Sequence, residues 1–317
     1  MSADLPTLGI GVDIGGTSTK AAVVDASGAV VASIVLPTQS GAKGVVATAT
    51  QATLLVARSA SISISDVNAV GIGIPGTVDP QLGTVRFAVN VGIGHDDIDL
   101  GERLTAELGV DVHVENDVRA AALGADWYLT TTSGPINDLA YLSIGTGIAA
   151  GYVERGQLRR GSSLVAGEVG HIPIDPQGPP CACGQIGCIE AISSGSAIER
   201  MWPTETGASA AALHHAAAGG DTAARRLWDG VIGGLSRAVL LLALTWDPEV
   251  IVLGGGVASL GEVLRDAIAD RLVADAQQSE FLGSLDLGAR MRVIDPKVPL
   301  GPIGAVRAAH AAPPVLP

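Results

Sequence analysis

Aromatic residues make up only 3% of this 317-residue chain, which leaves little material for stacking bases and argues against single-stranded nucleic acid as a partner. Basic residues are scarce too. Against 32 Asp and Glu stand 19 Lys and Arg, a formal net charge of -13, and such a field disfavours a polyanion such as DNA. A small anionic ligand is compatible with it, because backbone amides and a metal ion can bind one locally. Long hydrophobic runs are missing as well. The best of them, Ala238–Trp246 between Arg237 and Asp247, is far shorter than the ~20 apolar residues a membrane span requires. The first residues carry no basic stretch followed by an apolar one, so no signal peptide is expected. The composition therefore points to a cytoplasmic protein with neither a membrane nor a nucleic-acid partner. Apolar residues at 47% and charged residues at 16% supply substantial cores, and the length suggests two domains of ordinary size.

Cysteine is also rare, and its placement is informative. All three cysteines lie in Cys181-Ala-Cys183-Gly-Gln-Ile-Gly-Cys188, with His171 ten residues upstream. An odd, clustered set makes a poor disulfide framework and a good reduced metal site. Three thiolates and one imidazole form the closed tetrahedral set of a structural zinc ion. The alternative is a glycine-rich loop with small buried cysteines and an unrelated histidine, and the clustering disfavours it.

In chain order, Leu8–Asp13 reads as a buried strand that ends on the turn Ile14-Gly15-Gly16-Thr17, followed by strands over Ser18–Val24 and Ala29–Leu36 joined by the turn Asp25–Gly28. A helix over Val45–Ser59 and a strand over Val67–Ile74 follow. Hairpin strands followed by helix–strand alternation imply an α/β layout with a mixed sheet. Glycines 15 and 16 allow a backbone to approach a ligand closely, although a tight hairpin would need no more. The turn leads into a strand, so it is no Walker loop. Gly71–Asp79 and Gly83–Asn90 form a glycine-rich turn and an extended run that stops at Asn90.

Val110–Glu115 reads as a strand and Val118–Tyr128 as a helix, which puts Asp117 where an N-cap belongs. A carboxylate between the end of a strand and the start of a helix is also well placed for chemistry in an open α/β sheet. The helix dipole keeps it ionised, as a general base must be. Ser133–Asp138 reads as a hinge. Leu139–Ile144, Gly145-Thr146-Gly147 and Ile148–Val153 then repeat the first strand–turn–strand pattern, which suggests two domains of related topology. Ser196–Trp246 is largely helical with a break near Pro203–Gly207. Pro248–Leu253 is a strand ending in Gly254-Gly255-Gly256, ahead of a helix from about Leu260. A strand over Met291–Asp295, a closing helix over Gly301–His310 and a loose proline-rich tail complete the chain.

Asp13-Ile-Gly-Gly-Thr17, Glu115-Asn-Asp117, Gly167-Glu-Val-Gly-His171 and the Cys-x-Cys-Gly-x-x-Gly-Cys-x-Glu segment together resemble the ROK family of bacterial sugar kinases and sugar-responsive repressors, from Asp13 to about His310. The resemblance implies an actin-like ATPase (ribonuclease H-like) fold of two lobes with mixed sheets and an inter-lobe cleft. The lobes would be residues 1–128, with a C-terminal helix over 301–312 packing back on them, and 129–300 with the zinc segment 171–190. It implies an ATP-dependent hexose kinase using Mg²⁺ and a structural Zn²⁺, assembled as a homodimer or homotetramer.

Residue by residue, the resemblance implies that Asp117 is the base for the attacking sugar hydroxyl. Asn116, Glu168, His171 and Glu190 would hydrogen-bond the sugar, with Gly76 and Asn90 on its loops. Asp13, Gly15, Gly16, Thr17 and Lys20, together with Gly145, Thr146 and Gly147, would meet the phosphates, and Gly254, Gly255 and Gly256 the nucleoside. His171, Cys181, Cys183 and Cys188 would hold zinc. His171 would give one ring nitrogen to the metal and keep the other for the sugar.

The chain departs from the family pattern twice. No Trp follows Asn90, and the Asn usually found two residues after the base is Arg119. Glucose is the first expectation for the sugar, and an N-acetylglucosamine or N-acetylmannosamine kinase is the alternative. A non-catalytic sugar-sensing regulator of the same family would carry a winged helix-turn-helix ahead of the first strand, and a strand expected by residue 8 disfavours it.

Overall fold

The structure is a computed structural model, and it describes residues 8–205, 207–277 and 279–311. The proline-rich tail expected to be loose lies outside the described residues. The described residues form two compact units: the first holds residues 8–137, Val153–Ala166 and 299–311, and the second lies within Asp138–Tyr152 and Gly167–Val298.

In the first unit, β1 (Gly9–Ile14), β2 (Ser18–Val24) and β3 (Val30–Pro37) run as hairpins into α1 (Ala42–Ser59) and β4 (Ala69–Ile74). A small antiparallel sheet of β5 (Thr77–Asp79), β6 (Thr84–Arg86) and β7 (Ile98–Asp99) precedes α2 (Leu100–Leu108), β8 (Val112–Asn116) and α3 (Asp117–Ser133). The main sheet has the order β3-β2-β1-β4-β8, antiparallel across the hairpins and parallel from β1 to β4 to β8. Ile10, Val12, Ile72 and Ile74 are fully buried in one core with Val45, Ala49, Ala52 and Val56 of α1. Those helix positions recur at three and four residues, which is what puts them on one face.

In the second unit, β9 (Asp138–Ile144) and β10 (Ile148–Glu154) form the opening hairpin, and the chain passes back to the first unit inside β10. The end of β10 pairs with β11 (Gln157–Leu158). Four helices follow: α4 (Ile189–Ser193), α5 (Gly195–Met201), α6 (Ser209–Ala218) and α7 (Thr222–Trp246). Then come β12 (Val250–Gly254), α8 (Glu262–Ala276), α9 (Glu280–Ser284), α10 (Leu287–Arg290) and β13 (Met291–Val293). The order β11-β10-β9-β12-β13 repeats that of the first sheet, with β12 parallel to β9 and β13.

Helix α7 is the one described helix long and apolar enough to cross a membrane by length and composition. It extends well beyond the short run 238–246, and Val231, Leu235, Val239 and Leu242 bury its apolar face in the core of the second unit. The last helix, α11 (Leu300–Ala311), belongs to the first unit and packs on α3, β4 and β1. Glycines permit that approach. A Cβ on Gly11 or Gly71 would lie 1.9 Å from the carbonyl oxygen of Pro302 or Ala305.

Candidate active site and metal centre

Strand β1 ends by placing Asp13 opposite Lys20 of β2, and the Gly15-Gly16-Thr17 turn closes the hairpin with the Gly15 N–H donating to the Ser18 carbonyl at 2.9 Å. The Thr38 hydroxyl donates to the Gly15 carbonyl at 2.7 Å and holds the turn from below. Burial pushes the Asp13 carboxyl up from 3.8 to about 6, although Lys20 pulls it down. A Cβ on Gly16 would stand 3.0 Å from the Asn90 carbonyl oxygen, so this turn and the short 3-10 turn Val89–Val91 lie side by side.

The end of β8 meets the same face of the unit. Asn116, not Asp117, caps α3: its Oδ1 accepts the Arg119 N–H at 3.1 Å, while its Nδ2 donates to the Gly76 carbonyl at 3.1 Å. Asp117 becomes the first helical residue, and its Oδ1 accepts the Val118 N–H at 2.9 Å. The cap moves by one place because an N-cap needs extended backbone, and the strand supplies it through Asn116 (φ -65°, ψ 140°). Gly76 has φ 96°, and a Cβ there would lie 2.5 Å from the Arg86 carbonyl oxygen, so glycine is required. Gly76, Asn116 and Asp117 are thereby one connected group, and Gly16 and Asn90 are another, all in the first unit.

The second unit gathers the remaining candidates. In the Gly145-Thr146-Gly147 turn the Gly145 N–H donates to the Gly147 carbonyl at 3.0 Å, and the Gly195 N–H reaches the Gly145 carbonyl at 2.7 Å. The glycine run after β12 lies against the strand that leads into this turn: Gly255 has φ 84°, and a Cβ there would be 2.6 Å from the Ile144 backbone. Glu190 Oε2 accepts the Ile148 N–H at 2.9 Å, so this glutamate also secures the turn, a contact that its place in the sequence does not announce.

The donor atoms of His171, Cys181, Cys183 and Cys188 all lie within 4.8 Å of one another. Cys181 Sγ is 3.7 Å from His171 Nδ1, and Cys183 Sγ is 3.7 Å from Cys188 Sγ. Two thiolates at ~2.3 Å from a tetrahedral zinc stand ~3.8 Å apart, so the set fits such an ion. Burial pushes the Cys188 thiol up to about 12, whereas the Gln185 side chain holds Cys183 down at about 6; a buried thiol like Cys188 needs a cation to lose its proton.

Gln185, which sequence reasoning passed over, donates from Nε2 to the His171 carbonyl at 2.9 Å and to Cys183 Sγ at 3.4 Å. With Nδ1 turned to the sulfurs, His171 Nε2 stands 4.0 Å from Glu168 Oε2. Glu190, two residues after Cys188 on α4, and Glu168, three before His171, are thus tied to the cluster through the backbone.

Two α/β units of matching mixed-sheet order, each with a glycine–threonine turn closing its first hairpin, define a protein of the actin-like ATPase fold. A glucokinase from Streptomyces griseus, solved in complex with glucose and AMPPNP, is 30% identical to this chain with a TM-score of 0.79, over 96% of this chain and all of that one (100%). The ROK family model matches residues 9–285, and the chain belongs to the ROK family. Thermotoga maritima glucokinase is 32% identical over 90% of this chain and 93% of its own. An Escherichia coli N-acetylmannosamine kinase is 32% identical over 78% and 82%.

Proposed function

We propose that this protein is an ATP-dependent hexose kinase with glucose as its first substrate and Asp117 as its general base. The observation that carries the reading is the placement of Asp117. It opens α3, where the helix N-terminus favours the carboxylate, and Asn116 fixes that turn between the Arg119 N–H and the Gly76 carbonyl.

Phosphoryl transfer asks for positioning and charge neutralisation rather than covalent chemistry by the protein. Asp117 takes the proton of the attacking sugar hydroxyl as its oxygen bonds to the γ-phosphorus, and the bond to the β–γ bridging oxygen breaks to release ADP. Asn116, Glu168, His171 and Glu190 supply fixed polar partners for the other hydroxyls, bordered by Gly76 and Asn90. The amides of Gly15–Thr17 and Gly145–Gly147 meet the phosphates together with Lys20, and Gly254–Gly256 meet the nucleoside. Mg²⁺ bound with ATP would supply neutralisation of phosphate charge, and Asp13 is the carboxylate beside that turn suited to face it. His171, Cys181, Cys183 and Cys188 would hold a structural zinc ion that takes no part in the chemistry and would fix the backbone bearing Glu168 and Glu190. The enzyme works in the cytoplasm as a homodimer or homotetramer.

The relationship to an N-acetylmannosamine kinase supports a second reading in which the sugar is an N-acetylated hexosamine. A coupled ADP-release assay over glucose, mannose, fructose, N-acetylglucosamine and N-acetylmannosamine, with Mg²⁺ and zinc supplied, separates the two. Highest kcat/KM on glucose is expected, highest on an N-acetylhexosamine selects the second reading, and no turnover on any sugar defeats both.

A further inference from the structure

The departure at Arg119 leads to a buried ionic cluster that the proposed chemistry leaves unused. The Glu115 side chain is 0% exposed and that of Arg119 is 4% exposed, with Arg119 Nη1 3.6 Å from Glu115 Oε1. Arg160, 33% exposed, places Nε and Nη2 2.8 Å and 2.7 Å from Glu115 Oε2. Glu115 Oε1 also accepts the Asn116 N–H at 3.0 Å. The second arm of Arg119, Nη2, donates to the Leu164 carbonyl.

Leu164 has φ 60°, a left-handed conformation that a leucine holds only when its surroundings impose it. One carboxylate and one guanidinium therefore connect three places in the first unit. These are the Glu115–Asn116 peptide, whose N–H lies one residue before Asp117, the first turn of the helix that Asp117 opens, and the segment 160–164. That segment continues through Ala166 into Gly167 and Glu168.

Such a cluster is a poor way to gain stability. Desolvating buried charges costs much of what their attraction returns, and apolar replacements of equal volume often serve as well. Arg119 Nη1 does not even make a hydrogen bond. What the cluster does supply is fixed placement, since a guanidinium is a rigid fork that can serve two acceptors at once. An asparagine at 119 is shorter and has a single donor group, so it could not hold a carboxylate and a distant carbonyl together.

We propose that Arg119 is a positioning residue for phosphoryl transfer. Through Glu115 and the Leu164 carbonyl it fixes the Asn116–Asp117 step and the 160–166 segment, so that one ionic cluster governs both the backbone beside the base and the backbone leading to Glu168. The proposal rests on the kinase reading given above.

Two variants test it. Arg119→Lys keeps the charge but loses the fork, and it is expected to lower kcat by about 10- to 100-fold, the penalty of a small misplacement. Its KM for sugar should rise while its KM for ATP stays within about twofold of wild type. The double variant Glu115→Gln/Arg119→Met removes the buried charges together; it should melt near the wild-type temperature and still keep the low kcat. Wild-type kcat in the double variant overturns the proposal, and so does an activity loss that matches the fraction unfolded.

Amide hydrogen exchange at residues 116–118 and 161–168 gives a readout independent of turnover. Faster exchange in the double variant at both stretches is expected, and unchanged exchange overturns the proposal whatever the activity. A wild-type protein that phosphorylates no sugar while exchange changes as expected overturns the kinase reading and leaves the placement by Arg119 supported.

Discussion

The Glu190 carboxylate closes the Gly145–Gly147 turn: Oε2 accepts the Ile148 N–H at 2.9 Å and would lie 2.4 Å from a Cβ on Gly147. A methyl group there has to displace the glutamate. Gly147→Ala is expected to lower kcat/KM by roughly tenfold or more, the loss typical of a displaced positioning group. Glu190→Gln keeps an oxygen that can accept the Ile148 N–H, so its KM for ATP should rise less than that of Glu190→Leu. Equal ATP KM values for the two Glu190 variants would detach this glutamate from the turn.

Asp117→Asn preserves the volume of the side chain and removes its basicity. Turnover should fall by about 10²- to 10⁴-fold, the usual worth of a general base, with sugar affinity by calorimetry changed little. Substantial residual activity would assign the base elsewhere.

Removing the metal should act on stability and sugar binding together. The ligand atoms tie His171 to the 181–188 loop, and Glu168 and Glu190 flank those same residues. Chelation verified by loss of protein-bound zinc, or Cys188→Ser, is expected to lower the Tm by at least about 5 °C, equivalent to roughly 2 kcal/mol in a domain of this size. Unchanged sugar affinity after verified loss would show that the cluster does not govern the sugar side.

Asp13 makes stability depend on pH in an unusual direction. Burial raises its carboxyl from 3.8 to about 6. Below pH 4 the folded and unfolded states both hold the proton, and between about pH 4 and 6 only the folded state does. Stability therefore falls as pH rises through that window, and the whole cost, at most about 3 kcal/mol, is present above it. Asp13→Asn should accordingly stabilise the ligand-free protein at pH 7.5 in urea melts and stabilise it much less at pH 4. An identical gain at both pH values would show that the Asp13 carboxyl is not perturbed.

Two helical glycines should respond to alanine with opposite signs. Alanine is intrinsically the better helix former by ~1 kcal/mol. At Gly230 of α7 an added Cβ would meet nothing within 4 Å, so Gly230→Ala should gain about that much. At Gly124 of α3 a Cβ would lie 2.0 Å from the Leu300 carbonyl oxygen, backbone that cannot rotate away. Gly124→Ala is expected to cost at least ~2 kcal/mol in denaturant melts, because overpacking outweighs propensity. A stabilised Gly124→Ala would mean that α11 does not pack so closely on α3.

Much of the first sheet is legible in the chain itself. Ser18–Val24 forms a strand over the residues that its pattern marks, and the Asp25–Gly28 turn closes the hairpin through the Gly28 N–H and Asp25 carbonyl at 2.9 Å. Periodicity and turn chemistry act over a few neighbours, so they can be read locally. The small sheet β5-β6-β7 is less legible, because two- and three-residue strands leave too short a pattern to distinguish from loop. The cap of α3 is off by one residue for a related reason: Asn116 and Asp117 are both good caps, and only the length of β8 decides between them.

The glycine turns, the clustering of three cysteines with one histidine and the repeated strand–turn–strand logic are all readable along the chain, since each is a matter of residue type and short spacing. Which distant residues share a charge or an acceptor emerges only on folding. Glu115 meets Arg160 across 45 residues, Asn116 meets the Gly76 carbonyl across 40, and Glu190 meets Ile148 across 42. No local pattern encodes such pairs. They exist because folding buries one partner and makes an unsatisfied carboxylate or amide costly, so that whatever complementary group the topology brings within reach becomes its partner.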